Sequence, residues 1–136
     1  MDWKECIVKK IVKSAQVDLE LIKSLRQTSE NKLTSSKLLS LTAVTSASKL
    51  SLCYDSLREL LEALAMSKGY KVYNHECYTG FVKEIIGNEG LASRFDRIRL
   101  LRNSINYYGQ SISIEAAREN IDEIEDLISH IKKLLD

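Results

Sequence analysis

Ile114, Ala117, Ile121, Ile124, Ile128, Ile131 and Leu135 recur at spacings of 3, 4, 3, 4, 3 and 4. A strand would scatter them over both its faces, whereas a helix lays all seven along one stripe. Leu127 and Leu134 widen the stripe. Ser113 precedes it as a helix cap, Glu115 and Glu119 lie near the positive end of the dipole, and Lys132 and Lys133 lie near the negative end. The sequence has no proline and only five glycines, so turn-makers are scarce and long helices are favoured over many short strands. These features predict an all-α protein, an antiparallel bundle of about five helices in a single domain spanning residues 1–136.

Four further helices follow from the same reasoning. Asp2 and Glu5 stand at capping-box spacing, and Ile7, Ile11, Ala15, Ile22 and Leu25 continue near helical period. The first helix is therefore expected over residues 2–25, or as far as 28, with residues 28–36 as a polar loop. A second, long helix is expected over residues 36–68, because Ala43, Ala47, Leu50, Tyr54, Leu57, Leu61 and Leu64 form one seam. About 33 residues at 1.5 Å rise would reach roughly 50 Å, too long for a compact chain of this size. Such a helix must kink or be covered, most simply by a second copy of the chain. Nine of the eighteen residues 34–51 are serine or threonine, suited to close helix packing or to a hydroxyl-rich contact surface. Gly69 ends the helix, residues 70–74 connect, and Asn74 caps a shorter helix through Cys77, Phe81, Val82, Ile85 and Ile86. His75 stands in its first turn, where capping and packing is the plainer role and a functional one the sharper.

Formal charge is only +1, so attraction for nucleic acid must come from a local patch. No apolar run reaches the roughly 18 residues of a membrane span. The opening MDWKECIVKK lacks the apolar core and cleavage site of a signal peptide, so a cytoplasmic location without membrane attachment is expected. Cys6, Cys53 and Cys77 form no CxxC pair. They are expected to be buried free thiols in a reducing compartment, with no metal or cofactor implied.

The chemistry concentrates in RFDRIRLLRNSINYYG, residues 94–109. On a helical projection Leu91, Phe95, Ile98, Leu101 and Ile105 share the core-facing side, and Arg102 projects within roughly 40° of its centre. Arg94 borders that face, and Arg97 and Arg99 flank it. An arginine on an apolar stripe is costly unless paired. Glu59 or Glu62 on the second helix could pair with it; alternatively Arg102 lines a groove and meets a phosphate, for which the planar, permanently charged guanidinium is suited. Asn106 lies one turn on, and Tyr107 and Tyr108 could stack on bases or bond phosphate oxygen.

The run Arg102-Asn103-Ser104-Ile105-Asn106-Tyr107-Tyr108-Gly109 resembles the signature of the HEPN family, an arginine, a polar residue, and a histidine four to six positions beyond the arginine. Residues 51–85, with a tyrosine and an alanine-leucine run on the long helix, then Gly69 and His75, are similar to the family as well. The resemblance implies a dimerising helical bundle with two motifs at one cleft. It implies either a metal-independent ribonuclease, often a toxin with a small nucleotidyltransferase antitoxin, or a non-catalytic RNA-binding or accessory module. Arg102 and Asn103 match the motif; Asn106 and Tyr107 stand where its histidine would fall. Neither is a general base near neutral pH, tyrosine having a pKa of about 10. The expectation is a module that binds RNA or nucleotide phosphate at a cleft of Arg102, Asn103, Asn106 and Tyr107, without catalysis. Arg94, Tyr108 and His75 are secondary candidates. A ribonuclease with a variant site, or a protein-interaction partner of a nucleotidyltransferase, are the alternatives.

Overall fold

The computed structural model describes the backbone of residues 1–136 and every side chain except those of Tyr107 and Tyr108. The chain is a helical bundle with a minimal two-stranded ribbon at one end. In order it runs α1 (Trp3–Val8), β1 (Val12–Ser14), α2 (Leu19–Leu38), α3 (Ser46–Ser67), β2 (Tyr70–Val72) and α4 (Cys77–Gly80). A short π-helix (Phe81–Ile86), α5 (Glu89–Tyr108) and α6 (Ile114–Leu135) complete it.

The expected first helix is broken into three pieces. Asp2 does cap α1, accepting a hydrogen bond from the Glu5 amide at 2.8 Å. The helix then stops because Lys10 turns left-handed, with φ 59°. The Lys10 amide donates to the Ile7 carbonyl and the Ile11 amide to the Cys6 carbonyl, the paired bonds of a Schellman end. Val12 next pairs antiparallel with Val72, Lys13 with Lys71 and Ser14 with Tyr70. Ile11 and Ala15 match the helical period, yet this strand pairing across sixty residues of sequence takes the segment. Asp18 begins α2 by accepting from the Leu21 amide at 3.0 Å.

The predicted polar loop over residues 28–36 is helix instead, part of α2. Its hydroxyls are spent inward: Ser29 Oγ donates to the Ser56 carbonyl and Ser56 Oγ to the Ser29 carbonyl, each at 2.8 Å. These reciprocal bonds let α2 and α3 approach closely. The expected long helix is likewise shortened. Residues 39–45 form a turn in which the Thr42 amide donates to Thr45 Oγ1 at 2.9 Å and the Thr45 amide to Thr42 Oγ1 at 3.2 Å. Serine and threonine compete for backbone partners, and here the turn wins over the helix. At 22 residues, α3 spans about 33 Å, and the length argument for a covering second copy falls away.

The seams lie where the sequence puts them apart from Ala43, which is exposed in the turn before α3, and Leu134, which is exposed on α6. Leu50, Tyr54, Leu57, Leu61 and Leu64 of α3 and Ala117, Ile121, Ile124, Leu127, Ile128 and Ile131 of α6 are buried in one core. Phe95 and Ile98 of α5 close it, with Leu101 and Ile105 half-buried against it. Gly69 and Gly87 end their helices left-handed, at φ 84° and 78°. No helix among the described residues is long and apolar enough to cross a membrane.

The cysteines depart from expectation. Cys6 and Cys77 form a disulfide, with Cα atoms 6.1 Å apart; only Cys53 is the buried free thiol predicted for all three. The pairing depends on the ribbon, which folds α1 back onto α4. At Gly80 an added Cβ would stand 2.8 Å from the Trp3 backbone nitrogen, a measure of how closely α1 and α4 pack. Trp3, Tyr70 and Phe81 fill the space beneath, with ring centroids 5.2 to 6.5 Å apart.

Candidate phosphate-binding site

An open pocket of about 550 Å³ lies where α3, α5 and the connector after β2 meet. Asp55, Arg58, Glu62 and Tyr78 line it with Val72, Tyr73, Asn74, His75 and Arg102. Helical spacing explains the α3 contribution, since Asp55, Arg58 and Glu62 recur at 3 and 4 on the flank of the seam. The connector is fixed at one end by β2 and the Tyr73 amide bond to the Ile11 carbonyl at 2.9 Å. At the other end Asn74 Oδ1 accepts from the Glu76 amide at 2.9 Å, and Cys77 is tied to Cys6.

Tyr54 is the hub beneath the pocket. It is fully buried, its hydroxyl is 2.6 Å from His75 Nδ1, and the Arg102 guanidinium carbon sits 5.3 Å above its ring centroid. One aromatic ring therefore orients two pocket groups, by a hydrogen bond and by a cation–π contact. The phenol pKa is pushed up, chiefly by burial, so the hydroxyl stays protonated. The imidazole pKa of His75 is pushed down, first by burial and then by the nearby Arg102, Arg58 and Arg99 charges. His75 is thus neutral at physiological pH, a form in which one ring nitrogen donates and the other accepts.

Charges in the pocket are mixed. Arg102 lies 3.8 Å from Asp55, while Arg58 lies 3.9 Å from Asp55 and 4.0 Å from Glu62. These separations are too long for hydrogen bonds, so Asp55 and Glu62 hold Arg58 electrostatically and leave its N–H fork to other acceptors. The partners considered for Arg102 resolve otherwise. Glu59 is buried against Lys32, at 2.5 Å, and Thr28, at 2.8 Å, and Glu62 faces Arg58. The carboxylate nearest Arg102 is Asp55.

The sequence-derived candidates do not all converge. Arg102 and His75, 27 positions apart, share the pocket. Asn103 and Asn106 do not line it: Asn103 Oδ1 is buried with no partner among the described residues, and Asn106 Oδ1 accepts from Ser51 at 3.3 Å. Tyr107 and Tyr108 carry side chains outside the described residues. Arg94 faces α6, bonded to Glu123 at 2.6 Å and Asp126 at 2.5 Å. Those two carboxylates have their pKa values lowered chiefly by Arg94. Arg97 bonds Asn120 and Arg99 bonds Asp96. Of the four arginines on this helix, Arg102 alone reaches the pocket. Sequence reasoning missed Arg58; its place four residues after Tyr54, beside the seam, was the available signal.

Comparison of the chain with protein-family models, with curated proteins and with solved structures gives no match.

Proposed function

We propose that this chain is a HEPN-like module that binds RNA or a nucleotide through phosphate in the pocket of Arg58, Arg102 and His75. The observation that carries the reading is the convergence of two guanidinium groups and a neutral imidazole on one open cavity. Guanidinium forks match phosphate oxygens bidentately, and the neutral imidazole adds a donor at no cost of repulsion between cations. The resemblance of residues 102–109 to the HEPN signature supports the same assignment. It also brings the expectations of a homodimer and, in the toxin-like version, a nucleotidyltransferase antitoxin. A cytoplasmic setting belongs with that expectation, although disulfides such as Cys6–Cys77 persist mainly in oxidising compartments.

Isothermal titration of uridine monophosphate and of single-stranded RNA tests the reading. Arg58→Ala and Arg102→Ala, each folded by circular dichroism, are expected to lose about tenfold or more in affinity, as removal of a charged hydrogen-bond donor does. Wild-type affinity in Arg102→Ala overturns it. A melting temperature lowered by several degrees with binding untouched would instead make Arg102 a structural ion-pair residue of an interaction module.

A second reading is favoured by the Tyr54–His75 bond. Were the phenol to donate to Nδ1, Nε2 would carry the proton and donate to phosphate. Were Nδ1–H to donate to the phenol, Nε2 would hold a lone pair able to accept the proton of an RNA 2′-hydroxyl, the role missing from the motif helix. Incubation with RNA in EDTA separates them: cleavage above a His75→Gln control supports the ribonuclease, and its absence leaves the binding module.

A further inference from the structure

The ribbon outside the pocket carries an arrangement the phosphate site does not use. Tyr73, the residue after β2, is 59% exposed and borders the pocket, and its ring lies beside the Lys71 side chain. Lys13 is the direct cross-strand partner of Lys71. The Lys13 and Lys71 amines sit 5.5 and 5.6 Å from the Tyr73 ring centroid. Like charges set directly opposite in a ribbon are destabilising. Neither lysine forms an ion pair among the described residues, nor do Lys9 and Lys10 before the ribbon or Lys68 after α3.

Lysines also blunt sheet edges against aggregation, and a two-stranded ribbon has two edges to protect. That role explains the charges but not the exposed aromatic between them, which works against edge protection. A stacking surface flanked by cations is instead the composition of a single-stranded nucleic-acid platform. The charge balance points the same way. Two carboxylates offset the two arginines inside the pocket, and the chain carries a formal charge of only +1. The pocket alone has little long-range pull on a polyanion, so attraction for a strand must be supplied next to it.

We propose that the ribbon continues the pocket into a binding path for single-stranded RNA, in which a base stacks on Tyr73 and the next phosphates meet Lys13 and Lys71. The path rests on the pocket reading for its first phosphate and adds the ligand class, a strand rather than a mononucleotide. Base stacking displaces the lysine amines from over the ring toward the strand's backbone, which relieves their mutual repulsion.

The test compares fluorescein-labelled octauridylate, by fluorescence anisotropy, with uridine monophosphate, by calorimetry. The proteins are wild type, Lys13→Glu/Lys71→Glu, the milder Lys13→Gln/Lys71→Gln, Tyr73→Ala and Arg58→Ala/Arg102→Ala. The charge-reversed ribbon is expected to weaken octauridylate about tenfold or more and to flatten its salt dependence, each phosphate contact contributing a slope of about 0.7 for single strands. The glutamine pair should show a smaller loss in the same direction. Tyr73→Ala should cost octauridylate about fivefold or more, and the two lysine pairs, which lie outside the pocket lining, should leave uridine monophosphate unchanged. Octauridylate bound as tightly by the glutamate and glutamine pairs as by wild type overturns the path and leaves the lysines as edge protection. Duplex RNA bound as tightly as octauridylate overturns it too. Ribbon-dependent octauridylate binding with no uridine monophosphate binding keeps the path and removes the pocket reading. Uridine monophosphate binding lost in the double arginine variant, with octauridylate binding no tighter, keeps the pocket and removes the path.

Discussion

Helices α2, α3 and α6 are joined along apolar seams and by the reciprocal Ser29–Ser56 bonds. The pocket end is held differently, by three paired ribbon residues, the Cys6–Cys77 disulfide, and close contact of Gly80 with Trp3. The first region puts most of its residues into apolar volume, and its contribution to the pocket is a single flank of α3 bearing Asp55, Arg58 and Glu62. The second uses few residues for structure and many for polar display, and it would be hard to hold together by burial alone. The difference predicts that damage to the seams moves stability and leaves ligand affinity intact in the folded protein. Damage at the pocket end should move both.

The largest expected effect is in the seams. Ile124 is fully buried in α6, and Ile124→Ala should cost about 2–5 kcal/mol by loss of burial and creation of a cavity. Urea unfolding reads the loss, and uridine monophosphate affinity of the folded protein should not change. Cys6→Ser opens a link between residues 71 positions apart and should cost about 2–4 kcal/mol. Unlike the seam variant, it should raise hydrogen exchange at the ribbon amides and weaken ligand binding, because the connector bearing His75 loses its anchor. Thiol counting under denaturing conditions checks the disulfide directly: one free thiol, that of Cys53, whose burial pushes its pKa up to about 12. Gly80→Ala forces a Cβ against the Trp3 backbone and should cost about 1–3 kcal/mol. At the small end, Lys10→Gly should stabilise by about 1 kcal/mol in thermal melts, since Lys10 holds a left-handed conformation that glycine adopts freely.

The pH dependence sharpens the same contrast. The His75 pKa is depressed in the folded protein, chiefly by burial, below its unfolded value of about 6.5. The unfolded chain therefore binds the proton first as pH falls. This contribution to stability is complete above the unfolded pKa and is lost as pH drops below it toward the folded one. Phosphodiester binding has the opposite sign, because an anion beside the imidazole favours the protonated form. Affinity should rise over the interval in which unliganded stability falls, and His75→Gln should remove both trends.

Much of the bundle was legible in the sequence, for a physical reason. The seams of α3 and α6, the Ser113 cap and the apolar stripe of α5 are local patterns, and the core accepts them except at the ends, where Ala43 and Leu134 are exposed. Ile7, Ile11 and Ala15 also kept helical period, but a left-handed Lys10 and pairing with residues 70–72 overrode it. Thr42 and Thr45 broke the long helix through bonds to each other's backbone, a competition that periodicity does not register. For the site, helical projection set Arg102 apart from the other three arginines, and it is the one of the four that lines the pocket. The projection could not bring in His75 or Arg58, because their meeting depends on how the ribbon and disulfide place the connector across α3. Asn103 and Asn106 do not line the pocket: Asn103, next to Arg102, projects from a different side of the helix, and Asn106, one turn on, is bonded to Ser51 instead.

The joint action of Arg58, Arg102 and His75 on phosphate is the proposal on which the others depend. It is tested most directly by following the imidazole resonances of His75 in wild type and Arg58→Ala during titration with inorganic phosphate. Saturable shifts of His75 are expected in wild type, with His130 on α6 unmoved, and loss of saturation in the variant. Shifts of equal size at both histidines, or a His75 response unchanged in Arg58→Ala, would contradict it.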